Sequence, residues 1–260
     1  MLQYLYICRH GYRDNFDVAH QDQDHIGGYG DPPLTLHGLE QAQELASFLS
    51  DDNHLSSYPI PERIFSSPFY RCVQTSVPLL SRLRQRKPVT AGLSLENGVQ
   101  EWLLCGTEPI PEPASATMLA AHLGPDVIDL SYETTVYPSS RGESESDLKA
   151  RLGAFLNAWI PKIDAAGIKS AVIVSHAAAV IVLGRLLSGD SDLHVPTGCA
   201  STSLYRRTEL TTAQSRRSLS QAATQESSVA ISQWVPVWLG RTDYLGRGSE
   251  REWQFGDPHV

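Results

Sequence analysis

Residues 6–13 read Tyr-Ile-Cys-Arg-His-Gly-Tyr-Arg, a stretch that places one histidine, two arginines and a glycine at the end of an apolar run. The run extends back to Leu2 and is almost continuous, which is typical of a strand buried on both faces of a parallel sheet. Open α/β sheets bind their ligands at the carboxyl ends of such strands. The stretch therefore predicts an anion site at the edge of a parallel sheet.

The residue types around His10 suit phosphate chemistry. Gly11 allows a sharp turn and a close approach of the backbone to a ligand, and the guanidiniums of Arg9 and Arg13 match phosphate oxygens. A neutral imidazole between two guanidiniums has a lone pair that can attack phosphorus and hold the phosphoryl group covalently. Both arginines are expected to lower the pKa of His10. The alternative is a strand end with solvated arginines and a hydrogen-bonded histidine.

Length, charge and cysteine usage limit the class of protein. The 260 residues suffice for one large α/β domain or two small ones, and the net charge of -8 argues against nucleic acid or an anionic membrane as partner. With no apolar run of about 18 residues and no basic-then-apolar start, an intracellular protein, cytoplasmic or nuclear, is expected. The four cysteines lack CxxC spacing and predict reduced structural thiols, with no metal site, disulfide framework or cofactor: Cys8, Cys72, Cys105 and Cys199.

A further cation is predicted at the start of a helix. A short buried strand at residues 64–65 continues into Ser-Ser-Pro-Phe-Tyr-Arg at residues 66–71. Ser67 can cap the helix and Pro68 can take its first position, so Arg71 falls within the first turn. Free N–H groups and the positive end of the helix dipole favour an anion there. The alternative is a solvated arginine.

A second histidine follows the clearest buried strand. Residues 171–174 read Ala-Val-Ile-Val and lead into Ser-His-Ala at residues 175–177. His176 therefore ends a strand as His10 does, and it can stabilise the charge of a phosphoryl-transfer transition state. The alternative is a buried histidine bonded to a backbone carbonyl.

Glu101 stands directly before Trp102 in a region without helical periodicity. A carboxyl packed against an indole in a partly dry pocket has a raised pKa, as a general acid requires. An exposed loop glutamate is the alternative. Residues 103–142 contain five prolines and are predicted to form an irregular cap over the carboxyl edge of the sheet, the kind of element that selects substrates.

Composition predicts two loops. Residues 14–31 contain five aspartates and no Lys or Arg, and they predict either an acidic flap that repels polyanionic substrates or a solvated loop. Residues 208–228 are rich in Ser, Thr, Gln and Arg, and they predict a flexible insert. The residues proposed for a substrate pocket are Tyr12, Asn15, Phe16 and Trp102.

Helical periodicity predicts several helices that pack on the sheet. One helix begins after Thr35 as N-cap, and another begins with a capping pattern at Ser144. A kink is expected at Pro78 of the helix that carries Arg71. The helix after Ser144 is expected to end at Pro161 and Gly167.

Four motifs occur in a specific order: strand-Arg-His-Gly, Ser-Ser-Pro-x-x-Arg, Glu-Trp and strand-Ser-His-Ala. On these motifs the chain resembles the histidine phosphatase (phosphoglycerate mutase-like) superfamily, branch 1, from residue 4 to about residue 187. The resemblance implies a three-layer α/β/α sandwich around a mostly parallel sheet, and the alternation of strands and helices indicates the same class. It also implies one domain over residues 1–260.

The resemblance implies a role for each matching residue. His10 resembles the phosphorylated nucleophile, while Arg9, Arg71 and His176 look like the rest of its phosphate pocket. Arg13 matches the second arginine of the subset whose motif reads Arg-His-Gly-x-Arg.

Glu101 resembles the proton donor of the branch whose acid lies between the two halves of the site. The other branch takes its acid from an aspartate directly after the second histidine, and Ala177 stands at that place in this chain.

Further motifs narrow the resemblance. Ser-Pro-Phe-Tyr-Arg-Cys at residues 67–72, Gly-Glu-Ser-Glu at 142–145 and Gly-Cys-Ala-Ser at 198–201 resemble the phosphatase-like domain of a fungal subunit of the RNA polymerase III general transcription factor. The suppressor-of-T-cell-receptor-signalling phosphatases share Arg-Cys-Val-Gln-Thr at residues 71–75 and the ending Arg-Glu-Trp-Gln-Phe at 251–255. Because no extension for an assembly module is seen, a stand-alone enzyme is expected.

These inferences predict a phosphoric monoester hydrolase that needs no metal and acts through phosphohistidine. The substrate implied is an aromatic, protein or other bulky phosphomonoester, either a small molecule or a phosphopeptide. One alternative is a phosphoglycerate mutase-type phosphotransferase, and another is a phosphatase-like interaction subunit of the RNA polymerase III machinery. No direct nucleic-acid or membrane partner is expected, and a homodimer is compatible with this interpretation.

Overall fold

The computed structural model describes residues 1–16, 26–55, 57–87, 91–106, 109–208 and 234–257. Within them one sheet has six strands in the order β3-β2-β4-β1-β5-β6. The strands are β1 (Tyr4–Arg9), β2 (Arg63–Ser66), β3 (Ser94–Leu95), β4 (Ser170–Ser175), β5 (Thr202–Arg207) and β6 (Trp234–Arg241). β1 to β4 run parallel, whereas β5 is antiparallel to β1 and β6 is antiparallel to β5.

Helices cover both faces of this sheet. They are α1 (Leu36–Ser50), α2 (Asp52–Leu55), α3 (Tyr70–Arg86), α4 (Ala116–Leu123), α5 (Glu145–Ala165) and α6 (Ala177–Ser188), with short 3-10 turns at Asp14–Phe16 and Asn97–Val99. Successive residues of β1 point to opposite faces. Leu5 and Ile7 therefore join the core under α5 and α6, while Tyr6 and Cys8 join the core under α1 and α3. The predicted three-layer sandwich around a mostly parallel sheet is confirmed.

Two of the three predicted helix caps are present in the structure. The Thr35 hydroxyl accepts from the backbone N–H of Gly38 at 3.0 Å, and Ser144 and Asp147 form the predicted capping box of α5. The prediction that Ser67 caps α3 was wrong. α3 begins at Tyr70, whose N–H donates to the Asp31 carboxylate at 2.6 Å, so a side chain distant in sequence takes the place of the cap.

One proline prediction needs correction. α5 continues through Pro161 to Ala165 before Gly167 turns the chain with a φ of +72°. α3 likewise continues through Pro78 to Arg86, and the kink expected there stays a prediction. Tertiary packing of the buried helix faces compensates for the hydrogen bond that each proline removes.

Three predicted loops are only partly described. Residues 103–142 are not irregular throughout, because Ser115 caps α4 by accepting from Met118 N–H at 3.2 Å. Of the acidic loop at 14–31, residues 17–25 lie outside the described residues, and so does all of the 208–228 insert except residue 208.

Among the helices that the structure describes, none has the length and apolar character needed to cross a membrane.

Candidate active site

The two strand-end histidines meet at the carboxyl edge of the sheet. β1 and β4 are adjacent and pair Arg9 with Ser175, so the next residue of each strand, His10 and His176, leaves the sheet at the same level. The N–H of His10 donates to the Ser175 carbonyl at 2.9 Å, and the two imidazole centroids lie 5.3 Å apart. The strand register thus brings together two residues that are 166 positions apart in the chain.

His10 presents an unprotonated nitrogen. Its Nδ1 lies 2.8 Å from the carbonyl oxygen of Gly11. Since a carbonyl only accepts, Nδ1 carries the hydrogen and Nε2 keeps its lone pair. Burial, followed by the charges of Arg71 and Arg9, holds the pKa of His10 well below its usual value. The imidazole is therefore neutral at pH 7 and able to act as a nucleophile.

Arg71 connects the other members of the site. Its guanidinium is 1% exposed and forms ion pairs with Asp31 (2.9 Å) and Glu101 (3.2 Å). Its Nη2 also lies 3.2 Å from Nδ1 of His176. Its Nε is buried without a partner among the described residues, and so is the Nε of Arg9. Buried guanidinium N–H groups of this kind favour an anionic acceptor.

His176 is fully buried and held by bonds at both ring nitrogens. Nδ1 lies 3.1 Å from Oε2 of Glu101, and Nε2 lies 2.9 Å from the Ser67 hydroxyl. Nδ1 faces a carboxylate that only accepts and the Arg71 guanidinium that only donates. We assign the hydrogen to Nδ1 because the contact with Glu101 is the shorter of the two, and Nε2 then accepts from Ser67. Burial lowers the pKa of His176 to about 4, although the Glu101 carboxylate opposes this effect. His176 is therefore a neutral hydrogen-bond donor at pH 7.

Glu101 lies in the site, but its protonation differs from the prediction. Burial by itself would raise the pKa of this carboxyl, yet the hydrogen bond from His176 and the charges of Arg71 and Arg13 outweigh burial and hold the pKa well below its usual range. The expected raised pKa was wrong for the free protein because these neighbours outweigh the effect of burial. The indole N–H of Trp102 donates to the Glu143 carbonyl at 2.9 Å.

Two arginines approach the site from the last residue of β1 and from the loop that follows it. Arg9 is 5% exposed, and its Nη1 donates to the carbonyl of Thr197 at 2.5 Å and to that of Arg251. Burial and the nearby Arg71 lower the pKa of Arg13 to about 10, so this guanidinium stays charged at pH 7. The guanidinium carbons of Arg13 and Arg9 lie 4.5 and 5.8 Å from the ring centroid of Phe16.

A cavity of about 430 Å³ opens above these residues. Its floor includes Arg9, His10, Arg13, Arg71 and Glu101. This volume falls in the range of sites for small molecules. The cavity can therefore hold a leaving group in addition to a phosphoryl group.

The four residues proposed for a substrate pocket are divided by the structure. Phe16 and Trp102 line the cavity. Tyr12 and Asn15 are not among its lining residues: the Tyr12 hydroxyl accepts from Arg251, and Asn15 is exposed in a 3-10 turn. The two residues therefore do not form part of the cavity wall.

The cluster could also offer ligands to a metal ion. One donor atom each of His10, Glu101 and His176 lies within 4.8 Å of the others. The guanidiniums that surround the same space repel a dication and attract an anion. The charge of the site thus fits a phosphoryl group better than a metal.

Several site residues escaped the sequence analysis. Asp31 is fully buried against Arg71, yet it reads only as the last aspartate of an acidic loop. The sequence predicts Ser67 as a helix cap, and no local pattern indicates its bond to His176. The tail segment, residues 249–257, also reaches the cavity through Arg251 and Trp253. The aromatic residues of its Arg-Glu-Trp-Gln-Phe motif were the available signal.

The chain is similar in sequence to several known proteins. A profile described as "Histidine phosphatase superfamily (branch 1)" matches residues 5–216. The chain is 31% identical over 269 residues to the "Transcription factor tau 55 kDa subunit" of Saccharomyces cerevisiae, an alignment that covers 96% of this chain and 58% of that protein. It is 27% identical over 171 residues to "Ubiquitin-associated and SH3 domain-containing protein B" of Homo sapiens, covering 55% of this chain and 25% of that protein. The chain thus spans less than two thirds of each relative.

Solved structures share the fold at low sequence identity. The ecdysone phosphate phosphatase from Bombix mori in complex with tungstate superposes with a TM-score of 0.59 at 17% identity, covering 78% of this chain and 89% of that one. A mycobacterial glucosyl-3-phosphoglycerate phosphatase gives 0.53 at 18% identity, with 92% and 98% coverage.

Proposed function

We propose that the chain, which belongs to the histidine phosphatase superfamily, branch 1, is a phosphomonoester hydrolase. It acts through a phosphohistidine intermediate and needs no metal. One observation carries the proposal. The neutral imidazole of His10, with Nε2 unprotonated, stands at a cavity whose floor contains the guanidiniums of Arg9, Arg13 and Arg71.

In the first step Nε2 of His10 attacks phosphorus, and the bond from phosphorus to the leaving oxygen breaks. The leaving oxygen takes a proton from Glu101, so an alcohol or phenol departs and the phosphoryl group remains on the imidazole. Guanidiniums stabilise the charge on the non-bridging oxygens. The Nδ1–H of His176, which donates to Glu101 in the free protein, turns to these oxygens when the phosphoryl group binds.

In the second step a water molecule attacks the phosphoryl group and the N–P bond breaks. Glu101 accepts a proton from this water, which returns the carboxyl to its protonated form, while inorganic phosphate leaves and His10 recovers its lone pair. Both steps balance without another reactant.

The low pKa of Glu101 in the free protein fits this scheme once substrate charge is included. A phosphate dianion that takes over the guanidinium of Arg71 weakens the ion pair that holds Glu101 deprotonated. The negative charge of the substrate also raises the pKa of a neighbouring carboxyl. With its pKa raised, Glu101 takes up a proton from solvent when substrate binds, and this is the proton that it gives to the leaving oxygen.

The cavity walls favour a bulky or aromatic leaving group. Phe16, Trp102 and Trp253 line the cavity, and the rings of Trp102 and Trp253 lie 6.5 Å apart. These rings offer flat apolar contact above the charged floor. The substrate class we propose is therefore an aryl, protein or other bulky phosphomonoester.

Rapid mixing with a ³²P-labelled aryl phosphate, followed by quenching in base, tests the mechanism. Wild-type protein is expected to carry label that is stable in base and lost in acid, whereas His10→Ala should carry none and lose turnover. His194→Ala removes an exposed histidine and serves as the matched control. Turnover by His10→Ala at the wild-type rate would contradict the proposal. Assays with 3-phosphoglycerate measure the mutase alternative on the same preparations.

The 31% identity with a transcription factor subunit supports a second role. The chain is then a phosphatase-like module of a nuclear transcription factor assembly. Affinity purification of tagged wild-type and His10→Ala protein tests this role. Recovery of transcription factor subunits with both proteins would support assembly independent of catalysis, and recovery with neither would argue against it.

A further inference from the structure

We propose that Arg251, in the tail segment, is a positioning residue for the phosphate site, acting through Phe16 on Arg9 and Arg13. The inference rests on the proposed function, since it assigns those two guanidiniums to phosphate. Arg251 lies 235 residues after Phe16 in the chain, and the two meet at the rim of the cavity.

The backbone of Arg251 is held in an unfavourable conformation. Its φ is +52°, and among the described residues only Ala200 shares a positive φ without being glycine. This conformation lets the Arg251 carbonyl accept from Nη1 of Arg9. Bonds on either side maintain it: the Glu250 carbonyl accepts from Cys199 N–H at 2.8 Å, and the Trp253 carbonyl accepts from the Thr197 hydroxyl at 2.5 Å. Strain that is fixed on both sides in this way is characteristic of functional positions.

The side chain of Arg251 reaches the loop after β1. Nε and Nη2 donate to the Tyr12 hydroxyl at 3.1 and 3.0 Å, and Nη2 also donates to the Phe16 carbonyl at 2.9 Å. Its guanidinium carbon lies 5.3 Å from the Phe16 ring centroid. Arg251 thus contacts both the backbone carbonyl and the ring of Phe16.

Phe16 in turn supports the phosphate-binding arginines. The guanidiniums of Arg9, Arg13 and Arg251 all lie within 6 Å of its ring, which is 7% exposed. An aromatic face holds a guanidinium without supplying a negative charge. The ring therefore helps to orient Arg9 and Arg13 without neutralising their positive charge.

Arg251→Gly is the decisive variant because glycine adopts φ near +52° without strain. We expect its melting temperature to equal or exceed that of wild type, while its affinity for inorganic phosphate, measured by calorimetry, falls about tenfold, the loss of one charge-assisted contact. Arg251→Lys keeps the charge but not the two-point contact, and it should fall between the two. Arg241→Ala is the matched control. Arg241 is the last residue of β6, and its guanidinium lies over the rings of Phe48 and Trp238. It is not among the residues that line the cavity.

A double-mutant cycle separates positioning from direct contact with phosphate. If Arg251 acts through Phe16, Arg251→Gly combined with Phe16→Leu should weaken phosphate binding no more than Phe16→Leu alone. Additive losses, or unchanged affinity in Arg251→Gly, would overturn the proposal. The proposal would also be overturned if Arg251→Gly and Arg241→Ala lowered the melting temperature and the phosphate affinity to the same extent. The loss of affinity would then reflect general destabilisation. The calorimetry needs no turnover, so wild-type protein that binds phosphate but does not hydrolyse esters would refute the proposed function alone.

Discussion

Replacing Asp31 by asparagine isolates the charge that holds Arg71 in place. The carboxylate is fully buried, accepts from Arg71 at 2.9 Å and from the Tyr70 N–H at 2.6 Å, and its partner guanidinium is 1% exposed. Asparagine keeps the shape and an oxygen that can accept from Tyr70, so the helix start is preserved. What is lost is the negative charge beside a buried cation.

The expected cost follows from this burial. Removing one partner of a buried ion pair costs about 3–5 kcal/mol because the other charge is left uncompensated. Glu101 still contacts Arg71 and the amide still accepts hydrogen bonds, so we expect the lower end, about 3 kcal/mol. For a protein of this size that corresponds to a fall in melting temperature of roughly 6–12 °C.

Chemical denaturation of wild type, Asp31→Asn and Asp52→Asn measures the effect. Asp52 pairs with Arg86 at 2.5 Å, but both side chains are exposed, so its loss should cost at most about 1 kcal/mol. Added inorganic phosphate should stabilise Asp31→Asn more than wild type, since an anion replaces the missing countercharge of Arg71. Equal destabilisation by the two asparagine variants would refute the reasoning.

Three further predictions concern the reaction and its pH dependence. Glu101→Gln should keep the wild-type circular dichroism spectrum but lose about 100- to 10,000-fold in kcat on an aryl phosphate, the usual contribution of a general acid; a loss below tenfold would assign the acid elsewhere. Ser67→Ala removes the donor to Nε2 of His176 and should lower kcat while the protein stays folded, and wild-type kcat would show that the tautomer needs no support. Because burial lowers the pKa of His176 to about 4 and that of His10 in the same direction, the unfolded chain binds more protons below pH 6.5, and stability must fall as pH falls from 7 to 5. His176 alone should contribute about 2 kcal/mol to this loss of stability between pH 7 and pH 5. Urea unfolding at both pH values measures the loss, with His194→Ala as control. A free energy of unfolding that is the same at both pH values would contradict the assignment.

Residue order alone was sufficient for the family and the layer architecture. Continuous apolar runs at β1 and β4, and apolar residues at helical spacing in α1 and α5, are local signals, because each depends on neighbours within a few residues. The capping box of α5 was predictable for the same reason. The predicted membership of the histidine phosphatase superfamily is confirmed by the family profile.

The protonation state of Glu101 and the contacts that hold the arginines in place could be found only from the tertiary structure. Asp31 meets Arg71 across 40 residues, and Arg251 meets Phe16 across 235 residues. No local pattern encodes such contacts. The pKa of Glu101 likewise depends on guanidiniums that strand pairing brings to its carboxyl, not on the adjacent indole.

Buried strands, the residue types at their carboxyl ends and the family likeness all follow from local composition and spacing. The pairing of charges within the site follows from the fold, because electrostatic interactions depend on distance and burial in three dimensions, and both are set by the packing of distant segments.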